Sequence, residues 1–262
     1  MNVFGLPLVP SALALWVNNF SDRLFLVKLA GASEVGLYSI GIRVSSAIVL
    51  LLTAFRTAWP AFAYSIRDEG EARNTYGYVL TYVLLVVCWA ALALGALGPW
   101  IVHALTTPKF FSAQRVIALL AFSNAAKAGF MVVSIGIGRA RRTRFNWIIT
   151  GAAAIVNIAL NVVLIPSYGM IGAAISTLVS FSFMFAFMAW HAQRVYPVPY
   201  QWRRVLTLIG AAAGLNVVAA LANAPLPLAV LLVLAYPLVL WPLGFYLPGE
   251  RRRLRRLVPL SR

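Results

Sequence analysis

Long apolar stretches separated by short polar segments run along the whole chain. A helix needs roughly 20 apolar residues to cross the hydrocarbon core of a bilayer. Eight stretches reach that length, and we predict eight spanning helices at about 6–30, 34–66, 74–98, 111–138, 145–165, 170–192, 203–222 and 227–247. The hydrophobic pattern therefore predicts an all-α polytopic membrane protein.

Local signals place the ends of several predicted helices. Ser33 is a suitable N-cap for the second helix, with Glu34 in its first turn. The Gly98-Pro99 pair is expected to break the third helix before a short amphipathic continuation. Pro166 and the following SYG turn are expected to separate the fifth helix from the sixth.

The first predicted helix has a polar middle, in the run LWVNNFSDRLFLVKLAG. A charged residue near the bilayer centre costs roughly 2.5–3.5 kcal/mol, so it must face a partner, a water-filled cavity or a ligand. Because residues four apart share a helical face, Asn18 lies over Asp22, and Asn19 lies over Arg23. The pattern fits either an Asp–Arg contact that joins this helix to a neighbour or the wall of a transport pathway.

Composition supports the membrane class and argues against an enzyme. The chain is 62% hydrophobic and 11% charged, far from the range of soluble domains. Its single cysteine, Cys88, and its two histidines, His103 and His191, are too far apart in the predicted topology to form a metal site. No nucleophile–base pair or glycine-rich phosphate loop is present in the sequence, so we expect neither catalysis nor a cofactor.

The positive charges predict the orientation. If the N-terminus is cytoplasmic, the loops and tail on that side carry fifteen Lys and Arg residues, whereas the opposite loops carry only Lys28 and Lys109. The positive-inside rule then places both termini in the cytoplasm. Basic loops next to the anionic inner leaflet account for most of the net charge of +16, so membrane lipids are the expected partners and nucleic acid is not.

The other five of the 22 cations fall at membrane depth: Arg23, Arg43, Arg56, Arg115 and Lys127. Arg43 is about 15 Å from the start of its helix, near mid-bilayer. Lys127 is also far from either end of its helix and shares a polar line with Asn124. Arg56 and Arg115 lie close enough to an interface to reach the headgroups by snorkelling.

One acid, Asp22, cannot neutralise Arg23, Arg43 and Lys127 together. We expect an anionic ligand, because guanidinium groups bind phosphate oxygens and amides bond to sugar hydroxyls. The alternative is that these cations meet helix C-termini, carbonyl groups or an acid elsewhere in the molecule. The predicted substrate-binding residues are Arg23, Arg43, Lys127, Asn18, Asn19 and Asn124. Asn157 and Asn161, on one face of the fifth helix, are expected to form interhelical hydrogen bonds.

Several motifs carry a resemblance to a known family. They are NNFSDRLFLVKLAGASEVGLYSIGIRVSS, the Trp59-Pro60 pair, GIGRARRTR and LNVVLIPSYGMIGAAIST. Together they resemble the polysaccharide-export branch of the multidrug, oligosaccharide-lipid and polysaccharide (MOP) flippase superfamily, which includes O-antigen and capsule-repeat flippases. The resemblance implies two helical bundles arranged in a V that move a polyprenyl-pyrophosphate-linked oligosaccharide to the outer leaflet.

Eight helices match only the second half of a fourteen-helix member of this family. We therefore expect this chain to be the C-terminal portion of a transporter, truncated or separately encoded, whose partner is the missing N-terminal bundle. The expected organisation is a six-helix core at 1–196, two additional helices at 197–250 and a basic cytoplasmic tail at 251–262.

The expected mechanism is alternating access without covalent chemistry, with Arg23, Arg43 and Lys127 on the pyrophosphate. Asp22 is either the ion-coupling residue or a group that orients Arg23. The alternatives are a MATE-like drug or cation antiporter, a membrane-bound glycosyltransferase or ligase, and a fragment that does not transport. An antiporter for organic cations would favour an acidic cavity, contrary to the charges at membrane depth.

Overall fold

Eight α-helices and one short 3₁₀ helix form the part of the chain that the computed structural model describes, residues 8–142 and 145–247. The helices are α1 (Leu8–Leu29), α2 (Ala32–Ser45), α3 (Ala47–Ser65), α4 (Glu69–Leu105), α5 (Gln114–Arg139), α6 (Asn146–Val195), α7 (Trp202–Leu221) and α8 (Leu226–Val239), with the 3₁₀ helix (Pro108–Ala113) before α5. These described residues contain no β-strand. The basic tail predicted at 251–262 lies outside them.

Five helical segments of the described chain are long and apolar enough to cross a membrane: α3, α4, the 3₁₀ helix together with α5, α6 and α7. Helix α8 is apolar but has only 14 residues. Helix α1 has 22 residues and is not among the five, because its polar middle lowers its mean hydropathy. The architecture confirms the prediction of an all-α polytopic membrane protein.

Three predicted helix boundaries were wrong. The predicted second helix is two helices that meet at Ser46. The Ser46 hydroxyl donates to the Arg43 carbonyl at 2.6 Å, and such a bond from a serine side chain to the preceding turn often bends a helix. Gly31, with φ of 93°, takes the N-cap position of α2, in place of the predicted Ser33. Helix α4 also continues through Pro99 to its end at Leu105.

The break predicted after Pro166 is confirmed in position. Gly169, with φ of 52° and ψ of −130°, divides α6 into two arms that match the predicted fifth and sixth helices. At this kink the Met170 backbone N–H donates to Glu34 Oε2 at 2.8 Å. The carboxylate of α2 therefore caps the second arm, in the way that side-chain oxygens satisfy free N–H groups at helix starts.

Alanine at position 169 should destabilise the protein. A Cβ there would lie 2.6 Å from Glu34 Oε2, and the positive φ is unfavourable for any residue with a Cβ. We expect a loss of about 1–3 kcal/mol, measured as a lower unfolding temperature in detergent. Gly151→Ala is the matched control, because a Cβ there meets no atom within 4 Å. Equal unfolding temperatures for the two variants would contradict this account of the kink.

The helices enclose two hydrophobic clusters. The larger one contains Tyr76, Leu84 and Met188 and joins α4, α5 and α6 to α7 and α8. The smaller one, around Leu26 and Tyr38, joins α1 and α2 to α5 and α6. Helices α7 and α8 both pack against α4, so they sit on the side of the bundle away from α1. The division at residue 197 stays a prediction.

Arg139 ties together one end of the bundle. Its guanidinium forms an ion pair with Glu69 at 2.8 Å and donates to the carbonyls of Ala63 at 3.1 Å and Ile66 at 2.8 Å. Tyr196 donates to the second Glu69 oxygen at 2.7 Å. These bonds join the end of α3, the start of α4, the end of α5 and the end of α6, so they fix the helices that carry the site described below.

Candidate functional site

A cavity of about 370 Å³ lies between α1, α2, α5 and the second arm of α6. Polar side chains reach it from α1 and α5, because their polar residues recur three and four apart and so share one helical face. It brings together six of the seven residues predicted from the sequence: Asn18, Asn19, Asp22, Arg23, Asn124 and Lys127.

A second cavity of about 540 Å³ continues from the first along α1, α3 and α5. The two share Asn19, Asn124 and Lys127 in their walls, and the second adds Arg56 and Thr53. Lys127 therefore stands where the two spaces meet. We call them together the cationic cleft.

Two arginines are placed differently from the expectation. Arg43 is exposed and lines neither cavity, so its predicted role rests on the sequence alone. Arg56, which we assigned to the membrane interface, lines the second cavity. The expectation assumed one continuous helix through both residues, and the break at Ser46 changes their relative direction.

Neutral groups hold the two cations of the first cavity. The Lys127 ammonium donates to Asn19 Oδ1 at 3.1 Å and lies 4.1 Å from the centre of the Phe181 ring. The Arg23 guanidinium lies 5.7 Å from the Phe20 ring centre, and its Nε is buried without a hydrogen-bond partner. Neither is in an ion pair with a described carboxylate. Donors remain available for an added anion.

Asp22 lies 2% exposed at one side of the cavity, where neutral donors surround its carboxylate. Asn161 donates to Oδ1 at 2.8 Å, and Tyr38 and Thr177 donate to Oδ2 at 2.7 and 2.5 Å. The carboxylate thus joins α1 to α2 and to both arms of α6. Arg23 is not among its partners, so the Asp–Arg contact considered from the sequence is not formed in the described chain.

The hydrogen bonds continue along α1. Ser21 donates to Asn157 Oδ1 at 2.7 Å, and Asn161 donates to the same oxygen at 3.0 Å. Ser180 donates to Asn18 Oδ1 at 2.9 Å. The interhelical role predicted for Asn157 and Asn161 is confirmed.

Sequence reasoning missed Tyr38 and Thr177 as partners of Asp22. A signal was present for Thr177, because Ser176, Thr177 and Ser180 recur at helical spacing inside an apolar run. Tyr38 gave no comparable signal, since a tyrosine in an apolar helix is ordinary.

The arrangement suits binding better than covalent chemistry. Three cations, Arg23, Arg56 and Lys127, face the cationic cleft, and Asp22, the one carboxylate in its described lining, is already bonded to three donors. Amides and hydroxyls complete the polar wall. Such a surface can hold an anion together with hydroxyl-rich groups.

Comparisons with known proteins agree with the resemblance found in the sequence. Residues 1–115 match the family described as "Polysaccharide biosynthesis protein". An uncharacterized membrane protein of Methanocaldococcus jannaschii is 31% identical over 186 residues, which cover 67% of this chain and 36% of that protein. The chain thus spans about 36% of the length of this relative. The matched family segment contains α1 to α4, including Asp22 and Arg23, whereas Lys127 lies beyond it.

Proposed function

We propose, on the premise that residues 1–115 belong to the polysaccharide biosynthesis protein family, that this chain forms the second helical bundle of a flippase. Its substrate would be a polyprenyl-pyrophosphate-linked oligosaccharide, moved across the plasma membrane for surface polysaccharide synthesis. The observation that carries the proposal is Lys127, a cation without a carboxylate partner at the meeting point of two polar cavities. A charged side chain at membrane depth in that setting calls for an anionic ligand.

In the proposed mechanism the pyrophosphate binds Lys127 and Arg23, with Arg56 along the same cleft. Guanidinium groups suit the pyrophosphate because they contact two oxygens at once. Asn19 and Asn124 offer amide groups to the sugar hydroxyls. The polyprenyl tail remains in the bilayer, and the protein alternates between two access states without forming a covalent bond.

A covering element is part of the proposal. Arg56 is exposed at membrane depth beside the cleft and is in no ion pair with a described carboxylate, and lipid tails cannot satisfy its charge. We propose that an N-terminal bundle, in the same or a separate chain, faces this surface and completes the site. Transporters built from repeated halves place their substrate at such an interface. With both termini cytoplasmic, the Arg139 cluster would lie at the inner end.

Asp22 is proposed as the ion-coupling residue. Only neutral donors surround this buried carboxylate, so binding one proton or one monovalent cation would neutralise its charge. The oxygens of Tyr38, Thr177 and Asn157 belong to the same hydrogen-bond network and could serve as further ligands for a cation. Binding or release of that ion would alter the bonds that hold α1 against α2 and α6.

The charge distribution disfavours the two alternative functions. A drug antiporter of the MATE type would need free acids for organic cations, and the single acid of the described cleft is engaged. A glycosyltransferase or ligase would need a free general base near the reacting sugar.

Complementation tests the proposal. In a host that lacks its own flippase, the chain joined to a matching N-terminal bundle should restore surface polysaccharide, and the chain alone should not. Immunoblots of membranes should show equal amounts of both proteins. Restoration by the chain alone would contradict the two-bundle arrangement, and failure of both at normal protein levels would contradict the transport function.

A further inference from the structure

A second cleft lies on the opposite face of α5 from the cationic cleft, between α4, α5, α6 and α7. At the end of the bundle where α4 and α7 finish and α5 begins, a cavity of about 450 Å³ is lined by polar side chains. They are His103, Gln114, Arg115, Asn216 and Asn223. Nothing in the proposed transport mechanism uses these residues.

This polar cavity continues into an apolar one of about 510 Å³, and the two share Ala118, Asn216 and Ala220. The apolar part is lined by Leu84, Cys88, Phe122, Leu178, Phe185, Ile209 and Val217. At its far end the rings of Phe185 and Trp202 approach to 6.3 Å between centres. The 13 residues of α7 from Ile209 to Leu221 correspond to a depth of about 18 Å. We call the joined cavities the amphipathic cleft.

Two groups at the polar end are open to a ligand, the exposed Arg115 and the partly buried Gln114. Arg115 is in no ion pair with a described residue, and no carboxylate lines the described walls of the cavity. Gln114 Oε1 is buried without a hydrogen-bond donor. The site therefore offers a positive charge and a hydrogen-bond acceptor side by side.

We propose that the amphipathic cleft binds an anionic glycerophospholipid with a hydroxylated headgroup, of the phosphatidylglycerol type. The phosphate lies on Arg115, a headgroup hydroxyl donates to Gln114 Oε1, and one acyl chain fills the apolar part as far as Phe185. The cleft has a positively charged end and an apolar end. A soluble anion would leave the apolar end empty, and a lipid without net charge would leave Arg115 unpaired.

The occupant is a bilayer lipid and not the transported substrate, because α5 separates the two clefts. The lining residues of the cationic cleft, such as Asn124 and Lys127, lie on the other side of this helix from Phe122 and Ala126. The bound lipid would fill the space between α7 and α5. It would thereby support the docking of α7 and α8 on the rest of the bundle.

Native mass spectrometry of the purified full chain in mild detergent tests this assignment. The delipidated protein is titrated with phosphatidylglycerol, phosphatidylcholine and inorganic phosphate. We expect one tightly bound phosphatidylglycerol per chain and phosphatidylcholine binding that is at least about tenfold weaker. Inorganic phosphate should not displace the bound phosphatidylglycerol. Arg115→Gln should lower phosphatidylglycerol affinity about tenfold and remove the preference over phosphatidylcholine.

Lys109→Gln is the matched charge control, since Lys109 is exposed at the same end of the bundle and lines neither part of the cleft. It should leave the affinity unchanged. Ala213→Phe, which fills the apolar part, should displace the lipid, whereas Leu206→Phe on the exposed side of α7 should not. If Ala213→Phe does not fold, the lipid preference of Arg115→Gln decides the question, because it changes no packing in the apolar part.

Four outcomes would overturn the proposal. Equal affinity of the two lipids, or an Arg115→Gln variant that binds like the unmodified chain, would remove the headgroup site. Competition by inorganic phosphate at equal concentration would mean a free-anion site. Displacement of phosphatidylglycerol by a polyprenyl pyrophosphate at equal concentration would assign the cleft to the tail of the transported substrate.

Discussion

Replacing Lys127 with glutamine in a transporter that contains this chain is expected to abolish most transport without reducing the amount of inserted protein. Lys127 lines both halves of the cationic cleft, and Asn19 Oδ1 is its described hydrogen-bond acceptor. Loss of one charged hydrogen bond to pyrophosphate costs about 1.5–3 kcal/mol, which corresponds to about 10- to 100-fold in transport. Removing a charge from the membrane also favours insertion. Surface polysaccharide per immunoblotted protein is the measurement.

Controls separate binding from folding in this experiment. Lys127→Arg should retain much of the activity because it keeps the charge, and Lys109→Gln should be neutral because Lys109 lies outside the cleft. Arg56→Gln should impair transport more than Arg43→Gln, since only Arg56 lines a described cavity of the cleft. Full activity of Lys127→Gln would remove the anionic-substrate argument, and the reverse order of the two arginines would restore the role predicted for Arg43 from the sequence.

The residues of the cationic cleft could largely be predicted because the membrane restricts the choices. Polar side chains within an apolar helix must face the inside of the bundle and not the lipid. This places Asn18, Asn19, Asp22 and Arg23 of α1 opposite the polar face of α5. Helical spacing then identifies which side chains share a wall. The kink in α6 was located from local signals, because Pro166 and the SYG sequence after it favour the end of a helix.

Errors arose where the local backbone departs from a regular helix. Periodicity carries the direction of a side chain over many residues only if the helix is continuous, and the break at Ser46 separates Arg43 from Arg56. At Pro99 the opposite occurred: Gly98 packs closely against Ile117 of α5, where a Cβ would lie 3.3 Å from a side-chain carbon. The Gly98-Pro99 pair alone predicts the end of α4, but the helix continues where it makes this contact with α5.

The pairing of Asp22 with its three donors could not be predicted, because each donor comes from another helix or helix arm. Tyr38 is 16 residues away on α2. Thr177 is 155 residues away and Asn161 is 139 residues away. No sequence pattern within one helix encodes such a meeting. Only the packing of α1 between α2 and the two arms of α6 brings the three donors to one carboxylate.

Substitution of Asp22 by asparagine should leave the protein folded while removing its response to an ion gradient. The new amide can still accept hydrogen bonds from Tyr38 and Thr177. Asn161 Oδ1 has no partner at present, so rotation of the Asn161 amide would let it accept from the new amide group. The rotation gives up the bond from Asn161 to Asn157 Oδ1, which keeps its bond from Ser21. We therefore expect an unfolding temperature within about 2–4 °C of the unmodified protein, because the loss should be on the order of 1 kcal/mol or less.

Asp22→Ala is the contrasting variant. It removes the acceptor that Tyr38, Thr177 and Asn161 share in a buried site. Asn161 keeps its bond to Asn157, and the Tyr38 and Thr177 hydroxyls lie 3.2 Å apart, so only one of these two hydroxyls can donate to the other. The other hydroxyl loses its acceptor, at about 1–3 kcal/mol. It should lower the unfolding temperature and the amount of protein in the membrane. If Asp22 served only to hold the helices together, Asp22→Asn would transport like the unmodified protein and Asp22→Ala alone would fail.

The ion-coupling role requires a different pattern. Transport into or out of vesicles, measured with imposed proton or sodium gradients, should depend on one of these gradients in the unmodified transporter. Asp22→Asn should show transport reduced about tenfold or more and insensitive to either gradient, because the amide can neither release a proton nor balance a bound cation. Tyr38→Phe, which removes one donor but keeps the carboxylate, should retain the gradient dependence. A gradient response that persists in Asp22→Asn would mean that the ion acts elsewhere in the transporter.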